Sequence, residues 1–192
     1  MSFGRIDVAV HSYKDMPTEL PPGLTVVAVP QRARPEDVLV FAKADHLEQA
    51  REALDSGEDA RELRIGTSSP RRSNQLVHAL SCEVVPIRGN VTTRLSRLEK
   101  TGGDPDLNGI CIAHAGIERL GVQPDHLLTL PIDRFPTAAG QGAIAVEIKE
   151  DNELASLIAT MEDQTARMTS ESERAFLRNI EAGCLTPVGA HA

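Results

Sequence analysis

Short runs of β-branched and other apolar residues alternate with stretches in which apolar residues recur every three or four positions. This pattern predicts α/β layering around mixed or parallel sheets. The runs 6–10, 24–29, 38–41, 63–66, 84–87, 110–113 and 143–148 read as strands. Between them Leu47, Ala50 and Leu54, then Val91, Leu95 and Leu98, and later Leu154, Leu157, Ile158 and Met161 fall at helical spacing and are expected in the core. A last helix is predicted from Ser170, with Glu173 completing a capping-box pattern, Ala175, Phe176 and Ile180 inward, and Gly183 as its stop. Turn-rich joints lie at 17–23, 102–109 and 131–142, and the segment 30–35 suggests a crossing between domains. The first strand runs almost from Met1 into the most motif-like segment, so further strands of its sheet are expected upstream.

The length, 192 residues, allows one domain or two small ones and a real core without disulfide or metal staples. Charge narrows the partners. With 20 basic and 28 acidic residues the net charge is −8, so the chain as a whole repels nucleic acid and anionic membrane. One tyrosine, four phenylalanines and no tryptophan leave out the stacking platforms of a single-strand binder. No apolar run reaches the ~20 residues of a membrane span, and no secretion signal opens the chain. Three cysteines, Cys82, Cys111 and Cys184, have no paired spacing, which points to a reducing cytosol with at least one free thiol. The six histidines lack metal-ligand spacing, and no metal is expected.

The candidate chemistry is therefore local. In Gly66-Thr67-Ser68-Ser69-Pro70-Arg71-Arg72 a strand ends, Ser69 suits an N-cap and Pro70 suits the first helical position, which puts Arg71 and Arg72 in a first turn. Cations there oppose the helix dipole, and nothing nearby in sequence neutralises them. A bound anion would resolve the conflict; a solvated helix start with surface arginines is the plainer alternative. A second strand end, Arg88-Gly89-Asn90 with Arg94 one turn on, repeats the arrangement, and Arg119 is a candidate third contributor. Arginine matches carboxylate or phosphate in a bidentate way. The glycine-rich nucleotide loops are absent, so a ligand with several carboxylates is the better fit. Asp15, in His11-Ser12-Tyr13-Lys14-Asp15-Met16-Pro17, follows a strand and can hold a cationic group or shuttle a proton, or belong to an ordinary Asp-x-Pro turn. Cys184 follows a helix C-terminus, where a thiolate is disfavoured, and Cys82 and Cys111 read as packed thiols.

These segments, with Arg-Gly-Asn-Val-Thr-Thr-Arg-Leu at 88–95, Ala-Gly-Ile-Glu-Arg-Leu-Gly at 115–121, Ala-Ala-Gly-Gln-Gly-Ala at 138–143 and Ala-Gly-Cys-Leu-Thr-Pro-Val-Gly at 182–189, resemble the porphobilinogen deaminase (hydroxymethylbilane synthase) family over essentially the whole chain. The resemblance implies a transferase of tetrapyrrole (heme) biosynthesis. Such an enzyme condenses four porphobilinogen units with loss of ammonia on a covalent dipyrromethane primer. It implies that Cys184 carries the primer by a thioether and that Asp15 is catalytic, stabilising the azafulvenium cation left when ammonia departs. Arg71, Arg72, Arg88, Arg94 and Arg119 match the basic residues for acetate and propionate groups, and Ser12, Lys14, Thr67, Ser68, Ser69 and Gln141 match positions near primer or substrate.

In fold, the resemblance implies periplasmic-binding-protein-like mixed-sheet domains. Residues 1–34 and 140–160 would be the remnant of a first domain, 35–139 a complete second, and 162–192 the beginning of a third, α+β domain. The family's first domain begins well upstream of Met1 and its third continues past Ala192, so apolar strand faces and edges are expected to be exposed. The implied setting is cytoplasmic, with no membrane or nucleic-acid partner and a monomer at full length. A carboxylate-binding module, or an inactive fragment of the enzyme, is the alternative function.

Overall fold

The chain folds as mixed α/β, as the alternation of its apolar runs implies. A computed structural model describes residues 6–99, 103–182 and 186–192. Its strands are β1 (Val8–Ser12), β2 (Leu24–Ala28), β3 (Asp37–Phe41), β4 (Arg64–Gly66), β5 (Glu83–Val85), β6 (Gly109–Ala113), β7 (Leu127–Thr129) and β8 (Ile144–Lys149). Its helices are α1 (Ala44–Ser56), α2 (Pro70–Leu80), α3 (Val91–Ser96), α4 (His114–Leu120), α5 (Ala155–Ile158) and α6 (Gln164–Asn179). They belong to two compact units, Met1–Pro35 with Pro136–Ala192, and Glu36–Phe135.

The unit Glu36–Phe135 is built on a five-stranded sheet of order β5-β4-β6-β3-β7. β4 runs parallel to β5 and β6, while β3 runs antiparallel to β6 and β7. Side chains of β3 alternate between faces, as a strand requires. Leu39 and Phe41 pack with Ala50, Leu54, Leu76 and Leu80 of α1 and α2. Val38 and Val40 pack on the other face with Ile110, Ile112 and Ile117, where Val91 and Leu95 of α3 also sit. Each buried Leu or Ile in these layers contributes about 1.5–3 kcal/mol. β7 is unforeseen because it is a strand only through its pairing with Val38, Leu39 and Val40 of β3, which also sets its register.

The other unit has a three-stranded antiparallel sheet of order β1-β8-β2. Its core gathers Tyr13, Met16, Val29, Ala143, Ala145 and Ala166. Here the hydrophobic pattern misleads twice. Leu154 precedes the single turn of α5, Leu157 lies in it and Met161 follows it, and all three are exposed, Leu157 by 69%, instead of lying in the core. The last helix begins six residues earlier than its capping pattern suggests, because the Asp163 carboxylate accepts the Ala166 N–H at 2.8 Å. Ser170 and Glu173 are thus mid-helix rather than a capping box. α6 turns Ala166, Ser170, Glu173 and Arg174 inward, while Phe176 (47% exposed) and Ile180 face outward, against expectation. Of these, Glu173 answers the Arg32 guanidinium and the Gly140 N–H, and Arg174 answers backbone carbonyls inside the unit. Gly183 lies outside the described residues.

These assignments separate interior from surface. Leu39→Ala is expected to lower unfolding free energy by about 2–5 kcal/mol, and Phe176→Ser to change it by less than about 0.5 kcal/mol. Urea melts of the two variants check this, and equal losses would contradict the packing described.

Candidate functional site

At the end of β4 the chain keeps its sheet pairing for one more residue, with Thr67 N–H donating to the Val85 carbonyl at 2.9 Å. Thr67 is buried, and its hydroxyl accepts the Ser69 N–H at 3.2 Å. The Ser68 hydroxyl donates to the Ile87 carbonyl, tying this turn to the loop that leads to Arg88. Ser69 caps α2 and Pro70 opens it, as the sequence implies. Arg71 and Arg72 then fall in the first turn, but they are buried, at 5% and 6% exposure.

Their charge is answered from a distant stretch of sequence. Asp37, the fully buried first residue of β3, meets Arg71 Nη1 at 2.7 Å and Arg72 Nη2 at 2.7 Å, and also accepts from Arg72 Nε at 3.0 Å. The expectation that nothing neutralises these arginines is therefore corrected. Burial by itself would raise the Asp37 pKa, but the charges and hydrogen bonds of Arg72 and Arg71 prevail and hold it at about 2. A triad of one carboxylate and two guanidinium groups still carries net positive charge. Arg94 lies near enough to add to it: its pKa is lowered by burial and then by the charge of Arg72.

Arg94 sits on α3, capped by Asn90, and donates from Nε to the Gly89 carbonyl at 2.9 Å. Arg88 is exposed on the same loop. Among the described residues no carboxylate lies within ion-pair distance of Arg88 or Arg94. Arg119 is exposed on the last turn of α4, about 8 Å along that helix from its start by the rise per residue. The structure thus brings Arg71, Arg72 and Arg94 together at the end of the five-stranded sheet where β4 and β6 finish and β3 begins, and leaves Arg119 outside the buried triad.

The Asp15 motif is built in the other unit. β1 ends in a single 3-10 turn, Tyr13–Asp15, in which Tyr13 is buried and Asp15 exposed. Lys14 Nζ donates to Gln141 Oε1 at 3.3 Å. Gln141 is buried and holds the chain on both sides, donating to the Pro35 carbonyl at 2.6 Å and accepting from Arg32 Nε through its backbone carbonyl at 2.9 Å. Its flanking glycines are demanded by close approach. Gly140 and Gly142 have φ of +73° and +85°, and a Cβ on Gly142 would stand 2.4 Å from the Ala33 carbonyl oxygen. Ser12 is exposed beside the turn.

Sequence reasoning missed the residues behind this turn. Glu173 is a buried carboxylate clasped by both Nη atoms of Arg32 at 2.9 Å, and it accepts the Gly140 N–H at 2.6 Å. Arg174 donates to carbonyls of the turn itself. Polar residues at helical spacing inside a predicted helix were the available signal, but apolar periodicity pointed to the opposite face.

Cys184 lies outside the described residues. Burial pushes the Cys82 thiol up to about 11, and burial with the negative charge of Asp37 pushes Cys111 up to about 12, so neither is a thiolate near neutrality. Among the described residues no group of His, Cys, Asp and Glu could hold a metal ion, and no helix is long and apolar enough to cross a membrane.

Residues 1–156 match the family model described as porphobilinogen deaminase, dipyromethane cofactor binding domain. The chain belongs to the porphobilinogen deaminase family. It is 43% identical over 192 residues to the porphobilinogen deaminase of Mycobacterium marinum, an alignment covering 98% of this chain and 57% of that protein. It is also 43% identical over 195 residues to that of Mycobacterium tuberculosis H37Rv, covering 100% and 59% respectively. The chain therefore spans a little under three fifths of these porphobilinogen deaminases. Among solved structures, it is similar to the reduced OxyR regulatory domain from Pseudomonas aeruginosa, with TM-score 0.42 and 12% identity over 87% of this chain and 75% of that one. It is also similar to the substrate-binding protein of an amino acid ABC transporter, with TM-score 0.40 and 10% identity over 93% and 71%.

The buried triad gives a pH prediction. A folded pKa of about 2 against an ordinary 3.8 means that Asp37 contributes stability above the ordinary value, lost as pH falls through the folded one. Asp37→Asn strands two buried guanidinium groups and is expected to cost about 3–5 kcal/mol near neutrality. Urea melts from pH 6 downward should show that difference narrowing below about pH 4; a gap that stays constant to pH 2 would contradict the ion-pair assignment.

Proposed function

We propose that this chain carries the chemistry of hydroxymethylbilane synthase: stepwise joining of porphobilinogen units, each with loss of ammonia, on a dipyrromethane attached to Cys184. The observation that carries the reading is the guanidinium cluster of Arg71, Arg72 and Arg94 in a member of this family. Asp37 presets two of these groups, and positive charge remains in excess.

That donor set suits a polycarboxylate. A growing pyrrole chain gains an acetate and a propionate at every step, and forked guanidinium groups held in place by a buried carboxylate bind such groups at little entropic cost. Arg71, Arg72 and Arg94 would hold the acid side chains of the dipyrromethane and of the elongating product. Arg88 and Arg119 would serve as outer basic contacts, and Thr67, Ser68 and Ser69 as hydrogen-bonding groups of the same turn. When bound, the dipyrromethane supplies the nucleophilic pyrrole carbon to which porphobilinogen is joined.

The chain's own catalytic part is assigned to Asp15. As the C–N bond to the aminomethyl group breaks and ammonia leaves, positive charge spreads onto the pyrrole nitrogen of the substrate. The exposed Asp15 carboxylate accepts a hydrogen bond from that N–H and stabilises the charge where it develops. The pyrrole carbon of a dipyrromethane held by Arg71, Arg72 and Arg94 would supply the electron pair for the new C–C bond, and the proton it gives up would balance the one carried off when the amine leaves as ammonia. Ser12, Lys14 and Gln141 complete the polar surroundings of the turn, with Lys14 steered by Gln141. The reading places the reaction in the cytoplasm, in a protein that works as a monomer at full length.

The test is to incubate the purified chain with porphobilinogen. Ammonia release and an acid aldehyde stain for pyrroles are followed, and the mass of the peptide containing Cys184 is measured. Ammonia release with a primer-sized mass increase supports the enzyme. Binding without ammonia release supports a carboxylate-binding module instead. Asp15→Asn is expected to lower kcat about 100-fold with KM moved less than about threefold, whereas Arg94→Met raises KM about tenfold.

A further inference from the structure

We infer that Arg174 is a positioning residue for this reaction: its guanidinium clamps the turn that presents Asp15. The inference rests on the function proposed above, and it concerns contacts within one unit. The turn has little strength of its own. It is a single 3-10 turn closed by one long backbone hydrogen bond, Met16 N–H to the Tyr13 carbonyl at 3.4 Å. Its hold on the interior comes from the Tyr13 N–H, which donates to the Ala143 carbonyl at 3.0 Å, and from the buried side chains of Tyr13 and Met16, with exposed Asp15 between them.

Arg174 approaches from α6, itself only 5% exposed. Nη1 donates to the carbonyls of Tyr13 at 3.2 Å and Met16 at 3.3 Å, and Nη2 donates to that of Pro17 at 2.6 Å. The guanidinium carbon also lies 4.4 Å from the centroid of the Tyr13 ring, within cation–π range. One turn earlier on the same helix, the Glu171 carboxylate accepts the Tyr13 hydroxyl. One planar cation therefore fixes the carbonyls on both sides of Asp15 and the ring beneath it. A lysine, as a point charge, cannot match this fork. A carboxylate that must meet a pyrrole N–H at hydrogen-bond distance is sensitive to this, since an ångström of displacement costs on the order of 100-fold in rate.

The chain supplies its own probe. Tyr13 is its one tyrosine and tryptophan is absent, so emission excited beyond the phenylalanine absorption band reports this turn alone. Wild type, Arg174→Met, Arg174→Lys and Arg167→Met are compared. Arg167 sits on the same helix but bonds Glu162 and the Val26 carbonyl, so its loss mimics a purely structural change. Arg174→Met is expected to raise acrylamide quenching of Tyr13 about threefold, to speed exchange of the Tyr13 and Met16 amides about tenfold, and to lower kcat at least about tenfold with KM within about threefold. Arg174→Lys recovers part of kcat and serves if the methionine variant does not fold. Arg167→Met leaves Tyr13 quenching and kcat within about twofold of wild type.

Wild-type quenching and exchange in Arg174→Met would overturn the clamp. Wild-type kcat despite a loosened turn would overturn its role in positioning Asp15. A wild-type chain that releases no ammonia from porphobilinogen sinks the functional reading and, with it, any part for Arg174 in the reaction, while the tyrosine signal still decides the clamp separately.

Discussion

A buried charge must be answered where it lies, and in the unit Glu36–Phe135 the answer is Asp37. Removing a carboxylate and two guanidinium groups from water is costly, and only close multidentate pairing returns the loss. The pairing at 2.7 Å to each arginine does so, and it also fixes both guanidinium planes beside the α2 N-terminus. The pair Arg71 and Arg72 is thus a rigid fixture rather than two surface charges. Within that group one carboxylate is shared by two guanidinium groups, and Arg94 stands near Arg72.

The other unit uses the same physics with different geometry. α6 presents polar side chains inward because the loops beneath it leave polar groups that no sheet ladder satisfies. Glu173 takes the Arg32 fork and the Gly140 N–H, and Arg174 takes carbonyls of the Asp15 turn. Gly140 and Gly142 let the backbone pass close enough for these contacts. In both units an arginine anchored on a helix is tied to a residue far away in sequence, and such contacts define the candidate chemistry more than apolar packing does.

What was legible in the sequence follows from how local each signal is. Strand runs such as 38–41 and 110–113 are recognisable because four consecutive apolar residues packed between helix layers leave an unbroken signature. Ser69 and Pro70 at the start of α2 carry their meaning within four residues. β7 was invisible because its strand character comes from β3 alone. The outward placement of Leu157 and Phe176 was equally hidden, since helical spacing shows that a stripe exists and not which stripe is buried.

The sequence alone determined the α/β alternation, the family motifs, the concentration of arginine at strand ends and the acidic residue after the first strand. All of these are encoded in neighbouring residues. Only the tertiary structure decided that Asp37 pairs with Arg71 and Arg72 across more than thirty positions, that the last helix buries its polar side, and that Arg174 reaches back to the turn at Asp15. Ion pairs and carbonyl contacts depend on a few tenths of an ångström between groups distant along the chain, and no local periodicity records that separation.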